Sequence, residues 1–93
     1  MPVVSNTSPL SNLALIDRLE LLREQMGEIL IPPGVHGELL RLPVPAALAR
    51  IRGALADGWV RVVPLAGSVP DHLKSLDPGE AEALALALEI RAT

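Results

Sequence analysis

Asn6, Glu38, Glu80 and Glu82 are the residues of this chain whose types and placing could do chemistry. Each carries a side-chain oxygen, and each stands close to the junction of two elements. Asn6, with Thr7 behind it, closes the apolar run PVVSN. Glu38 comes one to two turns into the stretch that follows EILI. Glu80 and Glu82 open the last segment, LDPGEAEALALALEIRAT. In open parallel sheets, ligands bind beyond the carboxyl ends of the strands. If the first strand lies beside the two helices that carry the acids, an amide and two or three carboxylates converge on one mouth. Mg²⁺ takes oxygen ligands and needs only one or two protein carboxylates, the rest being water or substrate phosphate. Such a cation can activate a water and neutralise phosphodiester charge. The spacing is not that of a tight metal motif.

Each residue also has a plain structural account. Ser8 reads as a helix N-cap. Glu80 stands three residues after Asp77, where a capping box already employs it. Glu82 shares a stripe with Leu86 and Glu89 that reads as a solvated edge, and Glu38 alone reads as a surface carboxylate. His36 and His72 have no partner at metal-ligand spacing. Arg50 and Arg52 read as a solvated helix face, and Trp59 as a core residue.

The elements that must position these groups follow from the punctuation of the chain. PVVSN, residues 2–6, reads as a short strand whose continuous apolar part suits burial on both faces. Ser8 and Pro9 read as N-cap and first helical residue. Leu10 to Met26 then fits one or two helices, with Asp17 as a cap for the second and Gly27 as its end. EILI is a second strand, stopped by Pro32 and Pro33. A helix over 33–42 carries Val35, Leu39 and Leu42 on one stripe. Another over 45–57 turns Leu48, Ile51 and Leu55 inward and ends at Gly58. WVRVVPL, residues 59–65, is a third strand. After the loop AGSVPD and a short helical turn near Leu73, Asp77, Pro78 and Glu80 mark the start of a final helix. Strands separated by helices of this length imply parallel pairing with right-handed crossovers, hence an α/β fold. The final helix carries Ala81, Leu84, Ala85 and Leu88 on one face and Leu86 and Ile90 on another, so it calls for cover on more than one side.

With 93 residues the sequence is the length of one small domain, spanning 1–93. A net charge of −3 and a single aromatic residue argue against a duplex-coating or base-stacking protein. There is no cysteine, so thiolate metal sites and disulfides are excluded. No apolar run reaches the ~20 residues of a membrane span, and no signal peptide is visible. A cytoplasmic protein that does not engage a membrane is the expectation.

The stretches VVSNTSPL, IPPGVHGELL, WVRVVPL and LDPGEAEALALALEIRAT, in this order, resemble the PIN-like proteins of prokaryotes. Members are described as predicted nucleic-acid-binding proteins and are distant relatives of the VapC-type ribonuclease toxins. The resemblance spans the whole chain. It implies a PIN-like parallel sheet with flanking helices, of which about three strands are present here. It further implies that the C-terminal strands of the family pattern, with a fourth acid, are missing from these 93 residues, leaving a partial domain. By motif, the family's acidic positions fall on Asn6, on Glu38 and on Glu82, with Glu80 as a near alternative. These residues would bind Mg²⁺ or Mn²⁺ for RNA hydrolysis. The amide at position 6 offers a neutral oxygen in place of a charged one.

Three functions follow as expectations. The first is a metal-dependent ribonuclease, extending to the toxin of a toxin–antitoxin pair with RNA as substrate and an antitoxin-like protein as partner. The second is a non-catalytic module that self-associates, as a homo-oligomer, or binds a partner through its last helix and an exposed strand edge. The third is an inactive fragment of a longer nuclease.

Overall fold

Proline and glycine divide the chain. In the computed structural model, which describes residues 3–92, the elements run β1 (Val3–Val4), α1 (Thr7–Leu15), α2 (Glu20–Met26), β2 (Ile29–Ile31), α3 (Pro33–Leu40), α4 (Pro45–Asp57), β3 (Val60–Val62) and α5 (Pro78–Ala92). A 3₁₀ turn, Asp71–Leu73, precedes α5. The three strands form one parallel sheet in the order β1-β2-β3. Val3 is in register with Ile29, and Ile29 with Val60. This is the α/β architecture with flanking helices expected from the alternation of strands and helical stretches.

The strands are shorter than their apolar runs. Of the run PVVSN, Pro2 lies outside the described residues, β1 holds Val3 and Val4, and Ser5 and Asn6 are not in the strand; β3 stops at Val62, before Pro64. Proline has no N–H to give a ladder, so a strand ends near it. Helix α1 begins at Thr7, with extended Asn6 in the N-cap position. Ser8 is therefore inside the helix and Pro9 is its third residue, not its first. Proline is tolerated there because the first-turn N–H groups have no intrahelical acceptor.

Asp17 does not cap α2. It adopts a left-handed backbone at φ 56°, and Leu19 occupies the N-cap position. Aspartate is among the few residues that visit this region. Its Oδ1 lies 3.1 Å from Arg50 Nε. Arg50 Nη1 also donates to the Ala14 carbonyl at 2.7 Å, so this arginine ties α4 to the end of α1 rather than facing water.

The core lies between the sheet and helices α1, α3 and α4. Leu10, Ala14, Ile29, Ile31, Val35, Leu39, Ile51 and Trp59 are all buried in it. On α4 the buried stripe is Ala47, Ile51 and Ala54, with Leu48 and Leu55 at its margin. Small alanines let this helix approach closely, while the leucines beside them close the edges. β2 is buried along its whole length, as a central parallel strand should be.

Helix α5 packs on α3 and β1. It buries Ala81, Ala83, Ala85 and Leu86. Leu84 and Leu88, which share a face with Ala81 and Ala85 in the sequence pattern, are 47% and 51% exposed. Its far end holds the loop after β3. Glu89 accepts the Ala66 N–H at 2.8 Å and the Gly67 N–H at 3.0 Å. These two backbone donors hold the Glu89 carboxyl below its ordinary pKa. No helix among the described residues is long and apolar enough to cross a membrane.

Candidate functional site

The starts of α1 and α5 meet the second half of α3 on the carboxyl side of the sheet. β1 delivers Asn6 and Thr7, α3 brings Glu38, and the first turn of α5 brings Asp77 and Glu80. With Ser8 these residues line a small cavity of about 40 Å³. That volume accommodates about one water-sized species, since a water's share of liquid volume is ~30 Å³.

Asn6 holds the N-cap position of α1, yet its side chain makes no capping bond. Its amide is therefore not spent on the helix and is available to the cavity. Glu38 is half-buried, and its Oε2 accepts the Thr7 hydroxyl at 3.1 Å. Its Oε1 sits where a side chain on Gly79 would begin, so the carboxylate can stand here only because residue 79 lacks a Cβ. Asp77 Oδ2 accepts the N–H groups of Gly79 at 3.1 Å and Glu80 at 3.4 Å. The N-cap expected of Asp77 is thus present. Glu80 is exposed at the rim.

Glu82 goes elsewhere. Its Oε1 accepts the Gly34 N–H at 3.1 Å, on the first turn of α3. It borders a separate apolar hollow with Val69, Leu76 and Ala81. The structure thus brings Asn6, Glu38 and Glu80 together and leaves Glu82 outside the cavity. Thr7 and Asp77 line it as well. Thr7 carried no mark of its own in the sequence beyond its place after Asn6, and Asp77 stood out only as a cap.

Among the described residues the lining contains Glu38, Asp77 and Glu80 and no Lys or Arg. Its field attracts cations and repels phosphate. Among the described residues no group of three His, Asp or Glu side chains is placed to hold a metal ion. What the cavity offers is Glu38, Glu80 and the Asn6 carbonyl oxygen. Two carboxylates and an amide meet the modest protein requirement of a largely hydrated Mg²⁺. They do not amount to a closed cage.

A wider groove of about 350 Å³ continues from this cavity, sharing Asn6 and Glu80 with it. Val4, Pro9, Ala83, Leu84 and Ala87 give it an apolar wall. It runs beside β1, whose one partner among the described strands is β2.

The α/β fold is consistent with that of a PIN domain. A family model described as a PIN domain, DUF3368, matches residues 2–93, and the chain belongs to that family. No curated protein and no solved structure matches it.

Proposed function

We propose that this chain is a ribonuclease of the PIN type that uses Mg²⁺ or Mn²⁺ and cleaves slowly. The observation that supports it is the meeting of Asn6, Glu38 and Glu80 at one acidic cavity beyond the strand ends. These three are the residues that would hold the cation, and Glu82, matched to the family pattern by sequence, is the remaining candidate. When bound, the cation would supply charge neutralisation at a phosphodiester and an activated water. The chain's own contribution is positional. Thr7 fixes one oxygen of Glu38, and Gly79 leaves room for the other. Without a cation the carboxylates would repel the backbone of RNA. Weak activity follows from the donor count, since Asn6 brings no charge and two carboxylates hold a divalent ion loosely. The finer reading, a toxin held in check by an antitoxin-like protein, rests on the family resemblance.

The test is cleavage of a labelled single-stranded RNA with Mg²⁺ or Mn²⁺ by the wild type, Glu38→Ala, Glu80→Ala and Glu82→Ala. The expected result is slow cleavage that Glu38→Ala and Glu80→Ala abolish. Equal cleavage by all four proteins would sink the site, and fast cleavage by the wild type would sink the loose-site argument.

A second reading is a self-associating or partner-binding module. It is supported by the exposed Leu84 and Leu88 on α5 and by the groove beside β1. Light scattering decides it: a mass above the monomer that falls in Leu84→Glu/Leu88→Glu supports association, whereas a monomeric wild type counts against a homo-oligomer.

A further inference from the structure

Helix α3 starts with no cap of its own. Pro32 is in the N-cap position and Pro33 is the first helical residue, so neither supplies a side-chain acceptor. Among the first N–H groups of a helix, which lack intrahelical partners, that of Gly34 is met by Glu82 from α5 at 3.1 Å. A Cβ on residue 34 would lie 2.7 Å from Glu82 Oε2, so the glycine is what lets the carboxylate in.

One turn along the same seam the close approach of a glutamate to a glycine repeats with the partners exchanged, while the Gly79 N–H itself goes to Asp77. Here Gly79, on the first turn of α5, leaves space for the carboxylate of Glu38 from α3. Gly34 and Glu38 are four residues apart on α3, and Gly79 and Glu82 are three apart on α5. Both spacings put a pair on one helix face. Residue 34 meets 82 while 38 meets 79, so the two helices run locally antiparallel through the contacts. Each helix offers a glycine to the other's glutamate.

We propose that Glu82 is a positioning residue: by capping α3 across this seam it sets where Glu38 stands, and it does not itself take the cation. The cation clause rests on the function proposed above, but the seam geometry does not. Glu82 is bound to a backbone donor and lies outside the cavity that holds Glu38. Its charge is also suited to a helix N-terminus, whose partial positive charge favours an anion.

Glutamine separates the two roles. Glu82→Gln keeps a carbonyl oxygen for the Gly34 N–H but removes the charge that a metal ligand needs. The amide signals of Gly34 and Gly79 report on the two ends of the seam by NMR, and Mn²⁺ alone serves as the metal probe. In Glu82→Ala, hydrogen exchange at Gly34 should speed by about tenfold or more, the range of one charge-assisted hydrogen bond. The Gly79 signal should shift as Glu38 moves, and Mn²⁺ binding should weaken. Glu82→Gln should restore slow exchange, the Gly79 position and Mn²⁺ affinity to within about twofold of wild type. If Glu82→Ala does not fold, Gly34→Ala takes its place, since it displaces the carboxylate and leaves its charge. An unmoved Gly79 signal in the displaced variant would overturn the proposal. So would a Glu82→Gln protein that keeps Gly34 protected yet binds Mn²⁺ as poorly as Glu82→Ala. If the wild type binds no Mn²⁺, the cation-site function fails and the cation clause with it, while the two amides still decide the seam.

Discussion

Substituting Gly79 by alanine should move Glu38 while leaving the fold intact. The new Cβ would fall on Glu38 Oε1 and 3.3 Å from Asp77 Oδ2. The atom most in the way is the far end of a flexible side chain, so Glu38 can yield by rotating. In doing so it abandons the Thr7 hydroxyl, now 3.1 Å away. A hydrogen bond to a charged group contributes ~1.5–3 kcal/mol when sheltered. This one is half-buried, and solvent screening brings it to about 1 kcal/mol. Against the loss stands the helix preference of alanine over glycine, up to ~1 kcal/mol in a helix interior. The two nearly cancel, so the stability of Gly79→Ala alone says little. A double-mutant cycle with Thr7→Val isolates the effect. Thr7→Val should cost about 1 kcal/mol in the wild type and close to nothing in Gly79→Ala, because the bond is already broken there. Urea unfolding of the four proteins measures it. A coupling below ~0.3 kcal/mol, the scatter of independent sites, would show that Glu38 does not depend on Gly79 for its place.

Two other perturbations probe the frame around the site. Arg50→Ala removes the bond to the Ala14 carbonyl and the pairing with Asp17; thermal or urea unfolding should show a loss of about 1–2 kcal/mol, and an unchanged midpoint would mean that the end of α1 needs no tie to α4. Glu89 has a folded-state pKa below its ordinary 4.5 because the Ala66 and Gly67 N–H groups favour the carboxylate. Its contribution is therefore complete above the unfolded-state value and fades as pH falls through the folded-state value. Between neutral pH and that acidic range the wild type should lose more stability than Glu89→Gln, and parallel acid titrations would refute the tie between α5 and the loop after β3.

Much of the fold was legible because its signals are local. Helix α4 runs over Pro45–Asp57, as read, since a proline opens it and Gly58, at φ 84°, closes it. Asp77 accepts first-turn N–H groups of α5, a role its place before Pro78 announces. Trp59 is in the core. The misread features depend on distant neighbours. Ser8 and Asn6 are both good caps, and propensity alone does not choose between them. Asp17 looked like a cap, but Arg50, thirty-three residues away in the chain, holds it in another role. Arg50 looked solvated for the same reason.

The sequence by itself determined the order of elements, the parallel α/β class and the oxygen-bearing side chains near the strand ends, because turn residues and apolar runs act over a few neighbours. Only the tertiary structure decided which of those side chains meet. Glu80 and Glu82 are two residues apart and so point about 200° apart around a helix with 3.6 residues per turn. Which one faces the cavity depends on the rotation of α5 about its axis. That rotation is set by burying Ala81, Ala83, Ala85 and Leu86 and by seating Gly79 against Glu38. On a helix apolar nearly all round, no pattern within the sequence could choose that face; the packing of α3 and β1 against it does.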